Sequence, residues 1–248
     1  MSASPAAPAP GAYVRQLYHF AFDPHSRLVR LALGEKKLSF EDNPVRYWEP
    51  DDAFLRLNPS GLLPVLTETP EAGSQGQGQS QGQQHRICEN RAILEHLEEV
   101  APTPNLWPRD INERAEARRL VGWFERKFDY EVNALLLHEK MEKRLIGGGA
   151  PDIGAMRAGR EALKDHLRYF ESLLATRDWL AGQSLSYADF ACAAQLSVLD
   201  YFDEINWTRY PHLKTWYMVM KSRPCFRPLL ADKLPGVPAS LHYAELDF

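Results

Sequence analysis

Cysteine is scarce in this sequence. Cys88, Cys192 and Cys225 are the three in 248 residues, odd in number and far apart, with no C-x-x-C pair. That spacing excludes a disulfide framework and a dithiol centre, and is the pattern of thiols used as small core residues in a reducing compartment. A basic excess is also missing. Twenty-nine Lys+Arg against 33 Asp+Glu leave a net charge of -4, so no surplus of cations exists to neutralise nucleic-acid phosphates or an acidic membrane. No stretch reaches the ~18 uninterrupted apolar residues of a membrane span. The opening MSASPAAPAPGA has neither the basic start nor the apolar run of a signal peptide and is expected to be one of no kind. His19, His25, His96 and His212 stand singly, without metal-ligand spacing, so no metal is expected.

What the sequence does have is 44% hydrophobic residues in a chain long enough for one large or two modest domains. Residues 1–12 are Ala/Pro-rich and expected to be disordered. The stretch Tyr18 to Leu33 reads as a strand end, a tight turn and an amphipathic helix, with Asp23 placed to cap it and Pro24 in its first turn. A second strand is expected at Leu38 to Asp42, and a short helix capped by Asp51 or Asp52 ends at Asn58-Pro59-Ser60-Gly61. LLPVL is a third strand opened by Pro64, and HRIC a fourth. Between them, residues 71–84 are a Gly/Gln/Ser tract expected to form a flexible insertion. Residues 101–110, with three prolines in APTPNLWP, read as a linker closing a domain of residues 13–100.

From 111 to 228 the pattern is helical. Val121, Phe124, Phe128, Val132 and Leu135 form one stripe, and Met156, Leu163, Leu167, Phe170 and Leu174 another. Ser186-Tyr187-Ala188-Asp189 is a capping-box entry to a helix apolar almost all round. Residues 229–248 form a tail.

A thioredoxin-like domain, a proline-rich linker and an all-helical domain, carrying N-P-x-G-x-x-P, I-C-E-x-x-A-I and S-x-x-D-F-A, resembles the glutathione transferase fold over about residues 14 to 228. The fold class expected is therefore α/β plus all-α. In that fold a hydroxyl or thiol at the first helix holds the glutathione sulfur, the backbone beside a cis-proline holds its peptide, and an acid-then-Ser pair grips its γ-glutamyl end. The backbone device is retained at Leu63-Pro64. Asp23 stands at the first position, and Glu89-Asn90 at the third. An ionised carboxylate donates no hydrogen bond to a thiolate. At ~4 Å it opposes one by about 1–4 kcal/mol, roughly one to three pKa units in the wrong direction. Ser26 is the substitute hydroxyl, or part of the helix cap. With two of three devices altered, no cofactor is expected, glutathione included.

Longer segments, FDYEVNALLLHEKMEKR, SVLDYF, KSRPCFRPLLADKLPGV and HYAELDF, resemble the FtsZ-localised protein A group of glutathione-transferase-like bacterial division proteins. That resemblance implies a non-enzymatic homodimer that decorates FtsZ filaments at the cytoplasmic division site and links them to septal wall synthesis. The rival readings are a glutathione-dependent transferase using Ser26 or backbone donors, and a small-molecule carrier.

Three stretches are candidate partner surfaces. Tyr47 and Trp48 lie between two prolines, rigid aromatics on a loop and so interface anchors, or packing for their own domain. His138, Glu139, Lys140 and Lys143 belong to a dense charged run, which is a solvated face or a contact surface. The tail offers Tyr243, Leu246, Asp247 and Phe248, a short amphipathic peptide suited to a partner groove or a strap folded back on its own domain.

Overall fold

The structure, a computed structural model, describes residues 13–71 and 84–248; the expected disorder of residues 1–12 and the tip of the 71–84 insertion lie outside the described residues. The chain divides into two compact units between Asn105 and Leu106. The tail belongs to the second.

The first unit opens with β1 (Tyr13–His19), α1 (Pro24–Glu35) and β2 (Glu41–Pro44), followed by α2 (Asp52–Leu57), β3 (Val65–Pro70), β4 (His85–Cys88) and α3 (Asn90–Val100). The sheet order is β2-β1-β3-β4. β1 runs parallel to β2 and antiparallel to β3, with Gln16 opposite Glu41 and Leu17 opposite Leu66, and β4 is antiparallel to β3. Alternation along β1 turns Arg15, Leu17 and His19 inward. Leu17, Val29, Leu33, Leu66, Ile93 and Leu97 are fully buried and form the core between sheet and helices. Two of the buried polar groups answer each other: Glu68 accepts from Arg15 Nε at 2.6 Å and pairs with His96 Nε2 at 2.8 Å.

The second strand is not where alternation placed it. It begins at Glu41, three residues after Leu38. Leu38 is buried, but as the residue closing the C-terminus of α1: its N–H donates to Leu33 O at 2.9 Å, after Lys37 turns the chain at φ 56°. The alternating burial came from a helix end rather than a pleat.

The second unit begins with α4 (Ile111–Gly122), capped by Asp110, whose carboxylate accepts from the N–H groups of Asn112 and Glu113. The chain then stays helical through a π-helical run (Trp123–Asn133), an α-turn (Ala134–Leu137), a π turn (His138–Glu142) and a final turn (Lys143–Leu145). Phe124, Phe128, Val132 and Leu136 are buried at steps of four. Leu136 thus takes the core position expected of Leu135, because i→i+5 bonding widens each turn and retards the phase of the stripe.

α5 (Ile153–Leu174) is capped by Asp152 and packs along this run. Its Gly159 is a spacer, since a Cβ there would lie 2.8 Å from Leu136 Cγ. Met156, expected inward, is only half-buried, and Gly159 and His166 are the buried residues in its place.

α6 (Tyr187–Tyr201) is buried along its whole length behind a capping box, with Ser186 N–H donating to Asp189 at 2.9 Å. Asp189 also accepts from Leu180 N–H at 2.9 Å and Trp216 Nε1 at 3.1 Å, so one carboxylate ties α6 to the preceding loop and to α7 (Pro211–Lys221). Among the described residues, no helix is long and apolar enough to cross a membrane and no group of three His, Cys, Asp or Glu side chains could hold a metal ion.

Candidate functional site

The turn before α1 is where chemistry was expected. Asp23 caps the helix, accepting from the N–H groups of Ser26 at 2.8 Å and His25 at 3.3 Å. Ser26 is fully buried and donates its hydroxyl to the same carboxylate at 2.6 Å. Burial pushes the Asp23 carboxyl above its ordinary value, against the pull of His25 and of the Ser26 hydrogen bonds. Its donors and the Ser26 proton are therefore spent on one another.

The Leu63–Pro64 bond is cis, as its position in the motif led one to expect. Glu89 stands at the start of α3 with φ 72° and caps nothing with its side chain. Asn90, 5% exposed, is held by its amide nitrogen to His25 Nδ1 at 3.0 Å. His25 stands singly in the sequence, and its place two positions after the Asp23 cap gives no sign that it reaches a helix start 65 residues on.

Tyr47 and Trp48 are half-buried in an aromatic cluster. The Trp48 ring meets Phe20 edge-on at 5.2 Å and Tyr47 at 5.2 Å, with Phe20 and Tyr47 5.8 Å apart. Phe20 thus supports the loop. The charged run is not uniformly a solvated face. Glu139 is 6% exposed, accepts from Asp152 N–H at 2.6 Å and pairs with Lys143 at 2.7 Å. Lys140 donates to Phe202 O at 3.0 Å and pairs with Glu204. His138 bonds Glu142 one turn on, at 2.8 Å, and stays partly exposed.

The tail folds back. Tyr243 is 2% exposed and donates to Leu229 O at 2.9 Å, and the Tyr201 hydroxyl donates to Val237 O at 2.6 Å. Phe248 stacks on His242 at 4.9 Å and meets Trp207 at 5.5 Å, with Lys221 Nζ 4.3 Å from its centroid. His242 in turn pairs with the buried Asp200 at 2.8 Å. Leu246 and Asp247 face outward between these anchors. The Asp200, Lys221 and His242 cluster carried no signal in the sequence, since its members come from three separate segments.

Comparison with known proteins places this geometry. The profile of the glutathione S-transferase N-terminal domain matches residues 17–105, and that of the glutathione S-transferase C-terminal domain matches residues 155–231. FtsZ-localized protein A of Caulobacter vibrioides is 59% identical over 94% of this chain and 98% of its own. The chain belongs to the glutathione S-transferase family. Within it, the chain falls in the group of FtsZ-localized protein A. The solved structure of FzlA from C. crescentus superposes with a TM-score of 0.89, covering 95% of this chain and all of that one at 59% identity. A glutathione S-transferase from Rhodospirillum rubrum F11 superposes at 0.86, with 44% identity over 95% of this chain and 100% of that one.

Two of the three positions that the family resemblance implies for glutathione are engaged by this chain's own side chains. Where a free hydroxyl or thiol would face the sulfur, the hydroxyl of Ser26 already points at Asp23. Where a small Ser would receive the γ-glutamyl carboxylate, Asn90 is bound to His25. The cis-proline corner alone keeps the family's form.

Proposed function

We propose that this protein is a division adaptor that binds FtsZ filaments at the cytoplasmic division site, using a glutathione transferase scaffold without transferase turnover. The observation that carries the reading is the 2.6 Å bond from Ser26 to Asp23, which leaves no hydroxyl for a thiolate and sets a carboxylate beside it. Similarity to FtsZ-localized protein A over nearly the whole chain supports the choice of partner. The protein acts as a homodimer. Trp48, held edge-on by Phe20 and Tyr47, and the partly exposed His138 are the filament-facing candidates. Leu246 and Asp247, displayed by the docked tail, are the candidates for contact with septal wall synthesis.

The reading as a glutathione transferase has the intact cis Leu63–Pro64 corner and the 44% identical Rhodospirillum rubrum enzyme in its favour. Co-sedimentation with GTP-assembled FtsZ, with a glutathione-resin retention run on the same sample, separates the two. Pelleting without retention is expected; retention and electrophile conjugation without pelleting would overturn the adaptor.

A further inference from the structure

A pocket of about 240 Å³ lies in the second unit between α5 and the loop that follows α6. α5 supplies Arg160 and Lys164 with an apolar floor of Leu163 and Leu167; the loop supplies Glu204, Asn206, Arg209 and Tyr210. Its one carboxylate is already saturated. Glu204 takes a bidentate pair from Arg160 at 2.8 and 2.9 Å and a further bond from Lys140. Burial alone would raise its carboxyl, but these partners outweigh burial and hold it below the ordinary carboxylate range, so the two cations neutralise it with one positive charge to spare.

The remaining wall is made of donors. The Arg209 side chain has no hydrogen bond or ion pair among the described residues, and neither does the Tyr210 hydroxyl or the amide nitrogen of Asn206, whose oxygen accepts from Thr208. Lys164 carries three N–H groups and spends one on the exposed Glu161 at 2.7 Å. A wall of donors over an apolar floor is matched by a guest that only accepts, and an ionised carboxylate is the protein group of that kind. Size narrows the guest further. The space corresponds to about eight water volumes, below the ~300 Å³ at which pockets for drug-sized ligands begin, so one side chain fits inside while the residues that flank it stay at the mouth.

We propose that this pocket anchors an acidic side chain flanked by apolar residues from a protein partner, with Arg209 and Lys164 holding the carboxylate and Leu163 and Leu167 the apolar arm. The identity of that partner as an FtsZ filament rests on the adaptor reading; the pocket's chemistry does not.

The direct test is titration of the full-length protein with N-acetyl-Leu-Glu-Leu-amide, followed through the methyl resonances of Leu163 and Leu167. Saturable shifts are expected, weakened about tenfold or more in Arg209→Gln and absent with N-acetyl-Leu-Gln-Leu-amide. Lack of saturation, equal binding of the Gln peptide, or shifts with inorganic phosphate or GDP but not with the Glu peptide would overturn the proposal. Arg209 makes no side-chain contact that folding depends on, and Tyr210→Phe, which removes one donor and no packing, gives an independent second variant. Peptide binding by a protein that fails to pellet with FtsZ would support the pocket and overturn the adaptor; pelleting that ignores Arg209→Gln, with no peptide binding, would do the reverse.

Discussion

Removing Phe248 alone isolates what holds the tail in place. Its half-buried ring contributes about 1 kcal/mol by area. The Lys221 ammonium at 4.3 Å, on a side chain with no exposure, adds about 1 kcal/mol more. The ring pairings with His242 and Trp207 add a further ~0.5–1 kcal/mol. Together these give about 2–3 kcal/mol, which is a ~30- to 150-fold change in a local opening equilibrium. Hydrogen exchange of peptides covering residues 241–247 should accelerate by that factor in the deletion. Residues 234–240, pinned by the Tyr201 hydroxyl to Val237 O and the Tyr201 carbonyl to Ser240 N–H, should keep their protection. Leu246→Ala, on an exposed side chain, should leave exchange within about twofold of wild type. Unchanged protection in the deletion would refute the argument that Phe248 is the latch, and protection lost across the whole of 234–248 would refute the claim that the strap is held at independent points.

The same strap should respond to pH. The hydrogen bond to Asp200 raises His242 above its ordinary 6.5, so its stabilisation is complete below that value and lost as pH climbs through the folded value; tail exchange, corrected for intrinsic rates, should rise from pH 6 to pH 8 in wild type and stay flat in His242→Gln. Asp23→Asn keeps a competent cap, so thermal stability should shift by no more than a few degrees and FtsZ pelleting should persist; loss of pelleting would place the carboxylate in the contact surface. Trp48→Ala removes the edge contacts to Phe20 and Tyr47, and should cost about 1–2 kcal/mol of stability while reducing pelleting by tenfold or more, measured at a temperature where circular dichroism shows the fold intact. Asp189→Ala strands the Ser186 and Leu180 N–H groups and the Trp216 indole, for a loss of more than about 3 kcal/mol, read as a fall in the urea midpoint.

Local signals in the sequence carried the fold further than the site. Asp23 ahead of Pro24 and the Ser186–Asp189 box each specify a helix start through contacts within three residues, and both are found in the structure. The glutathione transferase fold was legible for that reason, along with the cis-proline corner. Where burial had a non-local cause the pattern misled: Leu38 mimicked a strand from a helix end, and the π-helical run moved the core position from Leu135 to Leu136. The side-chain pairings that define the candidate site were out of reach. His25 to Asn90, Lys140 to Glu204 and His242 to Asp200 join residues 65, 64 and 42 positions apart, and no spacing rule announces them. The charged run showed the same gap, since the sequence cannot say which of Glu139 and His138 turns inward.

Glu89 keeps a left-handed backbone, φ 72°, that a side-chain-bearing residue holds only at a strain of about 1–3 kcal/mol. The neighbouring Asn90 is engaged by His25, so the strained residue sits where α3 is tied to a side chain 65 residues earlier. Protein engineers meet such positions as free improvements: glycine at 89 relieves the backbone, gives back about 0.4–1 kcal/mol through the looser unfolded chain, and leaves a net gain in shelf life. The backbone angle at 89 thus marks a position where the chain holds less stability than its fold allows.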